Sequence, residues 1–289
     1  MTDIQYVAPS TLDDAIGAYA AASGAARILA GGTDLLVQMR AGMVKPGLIV
    51  DIKKVAELNA IEETADGGFR VGAAVSGAVL AEHPKFGKVW PGVLEGLNLI
   101  GSTQVQGRAS AGGNLCNGSP AADGVPGLIA AEAIATIQGP NGRREIPVEQ
   151  VPAGPGKTTL APGEILVSFT LPPRPAHSSD AYLRMIPRTE MDIAVVGCGV
   201  SLTMDGDTCT AARVGLGAVA PTVLLVEDAA KALIGSKLDA AALDAAAAAC
   251  SAVCRPIDDK RGTIVYRTKV AGVLLKRTTA IAAERAKGG

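Results

Sequence analysis

Two stretches of the chain combine adjacent glycines with short polar side chains. The first is Leu29-Ala30-Gly31-Gly32-Thr33-Asp34-Leu35. The second runs from Gly101 to Asp123 and holds Gly112-Gly113-Asn114 at its centre, with Ser102, Ser110 and Ser119 around it. Adjacent glycines let a backbone bend without Cβ clashes and let a ligand sit directly on its amides. Ser, Thr, Asn and Asp beside them can reach hydroxyls and phosphate oxygens. One such pair is read equally well as a tight turn between elements. Two pairs with the same polar surroundings point to two grips on one long, phosphate-bearing cofactor.

Little else in the chain reacts. There is no Gly-x-Ser-x-Gly, no His-Glu-x-x-His and no Walker lysine, and no Gly-x-Gly-x-x-Gly follows a strand. The histidines, His83 and His177, read as surface residues. The five cysteines are odd in number and scattered, with no Cys-x-x-Cys. They read as small buried residues in a reducing compartment and not as an iron–sulfur site. No positioned acid–base pair is visible. Such a chain suits a cofactor that carries its own chemistry.

Composition narrows the partners. With 3% aromatic residues and a net charge of -1, the chain has neither stacking platforms nor a basic footprint for nucleic acid. No apolar run approaches the roughly 18–20 residues that span a bilayer. The N-terminus lacks a basic stretch followed by an apolar core, so a cytoplasmic location is expected.

The elements that must position the two loops can be read in order. Ser10 to Asp13 opens a helix with a capping box. Arg27 to Ala30 is a short strand, and Thr33 or Asp34 can cap a helix through Met39. Strand, glycine turn and helix start together form a phosphate cradle. Leu48–Ile52 and Phe69–Val75 are further strands. A helix from Pro91 delivers the second loop, which itself fits neither a helix nor a strand pattern. Another helix follows with Pro126 in its first turn. Asn141-Gly142 is a hairpin turn, and Glu164–Leu171 is a strand. Pro172 to Ser179 reads as a linker. Beyond it come three strand-like runs, 181–186, 194–204 and 208–219, then helices over 238–253 and 262–286.

With those features in place the sequence resembles a known family. Ala30-Gly31-Gly32-Thr33-Asp34-Leu35, Ile100-Gly101-Ser102-Thr103-Gln104-Val105, Gly112-Gly113-Asn114-Leu115, Ser119-Pro120-Ala121-Ala122-Asp123 and Asp192-Ile193-Ala194 occur in the order and spacing of the medium, FAD-binding subunit of the molybdenum hydroxylases. The resemblance covers essentially the whole chain. It implies an α+β protein. A PCMH-type FAD-binding domain of two α+β subdomains would span residues 1–175, split near 57. A C-terminal domain of a small antiparallel sheet and helices would span 176–289.

It also implies non-covalent FAD, with Ile28, Leu29, Ala30, Gly31, Gly32, Thr33 and Asp34 around the pyrophosphate and Ser110, Gly113 and Asn114 holding it from the second loop. Asp123 would bind a ribose or ribityl hydroxyl; read without the resemblance, it caps the following helix equally well. Ile100 and Leu166 would lie against the ring systems. The family often has Lys in the strand after the linker. Here the matching residue is Arg184, whose planar fork is not a point charge. The implied partners are a small subunit with two [2Fe–2S] clusters and a large molybdopterin subunit, in a dimer of heterotrimers. The implied role is electron transfer from those clusters to an external acceptor. A stand-alone FAD-dependent oxidoreductase is the competing expectation.

Overall fold

The computed structural model describes residues 4–288. The chain opens with β1 (Gln5–Val7), α1 (Leu12–Ala21), β2 (Ala26–Leu29), α2 (Leu35–Arg40) and β3 (Leu48–Asp51). The three strands form a parallel sheet in the order β1-β3-β2. Thr11 caps α1, accepting from the Asp14 amide while its hydroxyl donates to the Asp14 carboxylate. The helix start is where it was expected, but the cap falls one residue later than the Ser10–Asp13 pattern, and Asp14 accepts from the Thr11 hydroxyl and not from a backbone amide as in a capping box. Asp34 stands at the N-cap of α2 but makes no side-chain cap bond, so its carboxylate remains available.

The second sheet is built from β4 (Ile61–Glu63), β5 (Phe69–Gly72), β6 (Ile134–Gly139), β7 (Gly142–Pro147) and a later strand, with a small ribbon of β8 (Pro152–Gly154) and β9 (Lys157–Thr158) beside it. That later strand, β10 (Ile165–Leu171), lies between β5 and β6. It joins two cores. Ile165 and Val167 face the core shared with α1 and β3, whereas Phe169 and Leu171 face the larger core around Trp90 and Leu115. Strict alternation would send all four to one side. A register shift between Leu166 and Ser168 flips the parity and lets one strand serve both.

Between β5 and β6 come α3 (Gly77–Glu82), α4 (Phe86–Val89), α5 (Pro91–Leu97), α6 (Thr103–Gln106), α7 (Ala111–Cys116) and α8 (Gly124–Ala130). The second glycine stretch is therefore not a plain loop, as its composition suggested. It folds as two short helices, because Ser110 caps α7 by accepting from the Gly113 amide at 3.1 Å. His83 also departs from expectation. It is half-buried, its Nδ1 accepts from the Phe86 amide at 3.1 Å, and its ring meets Phe69 edge-on. Four cysteines are buried as expected, but Cys116 is exposed.

The remaining chain forms an antiparallel sheet of β11 (Ser178–Met185), β12 (Val196–Asp205), β13 (Thr208–Gly217) and β14 (Leu224–Leu225), covered by α9 (Glu227–Leu233), α10 (Ala240–Val253) and α11 (Ile264–Lys287). The proline stretch before it is anchored. Arg174 lies 3.7 Å over the Trp90 ring and pairs with the buried Asp180 at 2.6 Å. The other Asp180 oxygen accepts from the Val93 amide in the first turn of α5.

Asp180→Ala leaves both the guanidinium and that amide without a partner. The expected outcome is a loss of about 3–5 kcal/mol, read as a lower Tm or denaturant midpoint. Burial pushes the Asp180 carboxyl up to about 6. An acid whose folded pKa is raised contributes most below its unfolded value of roughly 4, and that contribution is lost as pH rises through the folded value. Asp180→Asn should therefore flatten the stability profile between about pH 4 and 6.

Candidate functional site: a cleft between two glycine loops

A cleft of about 450 Å³ opens between the first parallel sheet, the start of α7 and the start of β10. Gly31 sets its floor. A Cβ built there would lie inside the carbonyl of Arg108 and 3.1 Å from Ala109 Cα, so the two glycine stretches touch backbone to backbone. Gly32 has φ +77°, a left-handed angle that glycine adopts without strain. Gly112 packs equally closely on Ala73, and its amide donates to the Ala73 carbonyl at 3.1 Å. Gln38 on α2 reaches Asn117 beyond the end of α7 at 3.0 Å, a second tie between the two sides.

The amides along the floor are the site's principal chemistry. Among the described residues, the N–H groups of Gly31, Gly32, Thr33 and Asp34 have no protein acceptor. Four consecutive unpaired donors at a cleft wall suit an anionic ligand. On the opposite wall, the Asn114 side-chain oxygen accepts from the Gly124 amide at 3.0 Å. That bond fixes the orientation of the Asn114 amide and leaves Nδ2 as the donor available to the cleft.

Of the residues singled out in the sequence, Ile28, Ala30, Gly31, Gly32, Thr33, Asp34, Ile100, Ser110, Gly113, Asn114 and Leu166 all line this one cleft. Three do not. Leu29 turns to the other face of its strand and lies beneath Gly32. Asp123 is buried, with its Oδ1 accepting from the Tyr182 hydroxyl at 2.7 Å and its Oδ2 from Arg184 at 2.6 Å. Burial raises the Asp123 carboxyl above its usual range, and Arg184 and Tyr182 offset only part of that rise. Arg184 pairs with Asp123, and its side chain is 5% exposed.

The sequence reading missed the Thr158–Glu164 segment, Tyr19 and Cys116, all of which also line the cleft. Ala161-Pro162-Gly163 has the composition of a turn, but nothing local ties it to loops more than forty residues away.

Comparison with known proteins shows the family to which the chain belongs. The family model described as the FAD binding domain in molybdopterin dehydrogenase matches residues 2–174. The chain belongs to that family. A second model, the CO dehydrogenase flavoprotein C-terminal domain, matches residues 181–282. Among curated relatives, the carbon monoxide dehydrogenase medium chain of Afipia carboxidovorans is 34% identical, over 98% of this chain and 97% of that one. The putative xanthine dehydrogenase FAD-binding subunit of Escherichia coli is 31% identical over 98% and 97%. Among solved structures, a chain of the reconstituted CO dehydrogenase from Oligotropha carboxidovorans superposes with a TM-score of 0.94 at 32% identity, covering 98% of each chain.

The chain is thus an FAD-binding oxidoreductase component of the molybdopterin dehydrogenase class, as the resemblance implied, and its α+β fold is the family's. The residues present fit the cofactor. The unpaired amides of Gly31–Asp34 suit a pyrophosphate, and Asn114 Nδ2 supplies a facing donor.

Proposed function

We propose that this chain is the electron-relay subunit of a molybdenum hydroxylase and holds non-covalent FAD in the cleft between its two glycine loops. The observation that carries this reading is the run of four unpaired amides at Gly31–Asp34, closed against the second loop by the Gly31–Arg108 contact. In this reading, Ile28 and Ala30 to Asp34 wrap the pyrophosphate, and Ser110, Gly113 and Asn114 meet it from the other side. Ile100 and Leu166 present apolar surface to the rings. Residues 1–175, split near 57, form the flavin-binding unit, and 176–289 form the domain that closes it. The bound flavin supplies the two-electron acceptance and release. This chain's own residues orient the flavin, neutralise its phosphates and exclude water from one face.

The substrate is oxidised elsewhere. The partners are a small subunit with two [2Fe–2S] clusters and a large molybdopterin subunit, arranged as a dimer of heterotrimers in the cytoplasm. Among the described residues no cluster of His, Cys, Asp or Glu is arranged to hold a metal, and no helix is long and apolar enough to cross a membrane. The test has two readouts. Purified chain should carry one FAD that acid or heat releases into solution; flavin retained by the precipitate, or FMN, contradicts the assignment. The flavin-loaded chain should oxidise no purine, N-heterocycle, aldehyde or carbon monoxide with dye acceptors until both partner chains are added. Substrate oxidation by the single chain would instead establish a stand-alone oxidoreductase.

A further inference from the structure

Asp34 brings a negative charge into a cleft that suits an anion. It is the last residue of the unpaired-amide run, and it lines the same cleft. It holds the N-cap position of α2 but makes no side-chain cap bond, and among the described residues its carboxylate has no hydrogen-bond or ion-pair partner. The residue as a whole is exposed, yet the cleft walls desolvate its carboxyl and hold it above its usual range, with no charged neighbour contributing. The other ionisable residues lining the cleft are Tyr19 on α1, Arg27 on β2, Cys116 on α7 and Glu164 before β10. Arg27 donates to the Gly24 and Ala26 carbonyls, and Glu164 pairs with Arg144 at 2.7 Å. Arg40 stands at the far end of α2, and Arg108, across from Gly31, is exposed.

Covalent geometry turns this placement into a constraint on the ligand. In any rotamer, a carboxylate oxygen of Asp lies within about 4–5 Å of its own amide nitrogen. An anion accepting from the Asp34 amide at about 3 Å therefore stands no more than about 8 Å from the Asp34 carboxylate. Like charges at that separation repel by an amount equivalent to about threefold to about fortyfold in binding, depending on the local dielectric. A proton on the carboxylate removes the repulsion.

We propose that FAD enters this cleft with uptake of one proton at Asp34, so that this side chain sets the pH dependence of cofactor affinity. The inference rests on the flavin reading above and adds a charge balance to it. The proton comes from solvent and returns there when the cofactor leaves. A pyrophosphate on the neighbouring amides favours the protonated acid, so the Asp34 pKa rises further on binding. Affinity is then highest below the apoprotein value, falls as pH rises through the window between the free and bound values, and levels off above the bound value. That window opens above roughly 4, the ordinary value for Asp.

The test is FAD affinity of the full-length apoprotein, measured by flavin fluorescence between about pH 4.5 and pH 8, for the parent and Asp34→Asn. Asn keeps the shape and the N-cap preference of Asp without its charge. The ratio of the two affinities cancels every group that titrates alike in both. At pH 8, Asp34→Asn is expected to bind FAD about tenfold more tightly than the parent, and the ratio should shrink toward one at the acid end. Titration calorimetry in two buffers of different ionisation enthalpy should show proton uptake by the parent within the window and none by Asp34→Asn. Weaker binding by Asp34→Asn at pH 8 would mean that the carboxylate accepts a hydroxyl of the cofactor, and would overturn the inference. Equal affinities across the range would overturn it as well. Should Asp34→Asn fail to fold, calorimetric proton uptake by the parent decides alone. A parent that binds no FAD overturns the flavin reading, and this inference with it. A parent that binds FAD with a ratio that stays constant across pH overturns this inference only.

Discussion

Gly31→Val is expected to purify without flavin. The added Cβ would fall inside the Arg108 carbonyl, with the Arg108 carbon at 2.6 Å and Ala109 Cα at 3.1 Å. These are backbone atoms and have no rotamer to give way, so the two glycine loops must separate. Separation displaces the backbone that carries the four unpaired amides. The protein should still fold, since only the contact between loops is lost, and overpacking of this kind costs about 1–3 kcal/mol. The measurement is the ratio of flavin absorbance to protein in the purified variant, with circular dichroism to confirm folding. A folded Gly31→Val protein with a full complement of FAD would show that this cleft is not the cofactor site. Gly113→Ala is the informative contrast. Gly113 lies in the first turn of α7 at ordinary helical angles, and its Cβ would meet only Ser110 Oγ at 3.2 Å. The sequence pattern suggested that the backbone there disfavours a side chain; the structure assigns that constraint to Gly32 instead.

What could be read from the sequence follows from the range of the signals involved. The Gly-Gly-Thr-Asp turn, the Asn141-Gly142 hairpin and the start of α1 are local signals, and each appears where its residues predicted except that the α1 cap falls at Thr11, one residue later. Eleven of the cleft's residues were identifiable because loop composition is itself a local signal. The pairing of Arg184 with Asp123 was not legible, because it depends on which partner is nearest. Asp123 offers a carboxylate to whatever lies within reach, and only the fold brings β11 there from some sixty residues away. The cleft wall at Thr158–Glu164 was invisible for the same reason. The parity flip in β10 also escaped, since a run of buried residues looks alike with or without a bulge.

Glycines on the C-terminal sheet were the least legible feature, and one of them carries the second large effect. Gly197 and Gly199 on β12 stand directly opposite Gly217 and Gly215 on β13. In sequence, a Gly-x-Gly within a strand reads only as a weak point, because glycine adds entropy and no packing. Gly199, Gly215 and Gly217 clear a platform on which Pro126 of α8 lies, while Gly197 makes room for the Tyr182 hydroxyl. A Cβ on Gly199 would stand 2.5 Å from the Pro126 carbonyl oxygen and 2.7 Å from its carbon, and one on Gly215 would meet the same oxygen at 2.5 Å. Gly199→Val therefore cannot be absorbed by a side-chain rotation. It must lift α8, whose residues are all buried, off the sheet. The expected loss is about 3 kcal/mol or more, or roughly 6–12 °C in Tm. Flavin affinity should fall with it, because α8 begins at the Asp123–Gly124 step that orders the cleft wall. Gly17→Ala provides the opposite sign: Gly17 is an exposed interior position of α1 with nothing within 4 Å of a new Cβ, so alanine should add about 0.5–1 kcal/mol. Thermal melts of the two variants against the parent should move in opposite directions. An unchanged Tm in Gly199→Val would mean that α8 does not rest on the sheet as described, and that polar ties such as Asp123–Arg184, Glu95–Arg285 and Arg213–Glu149 hold the two parts together.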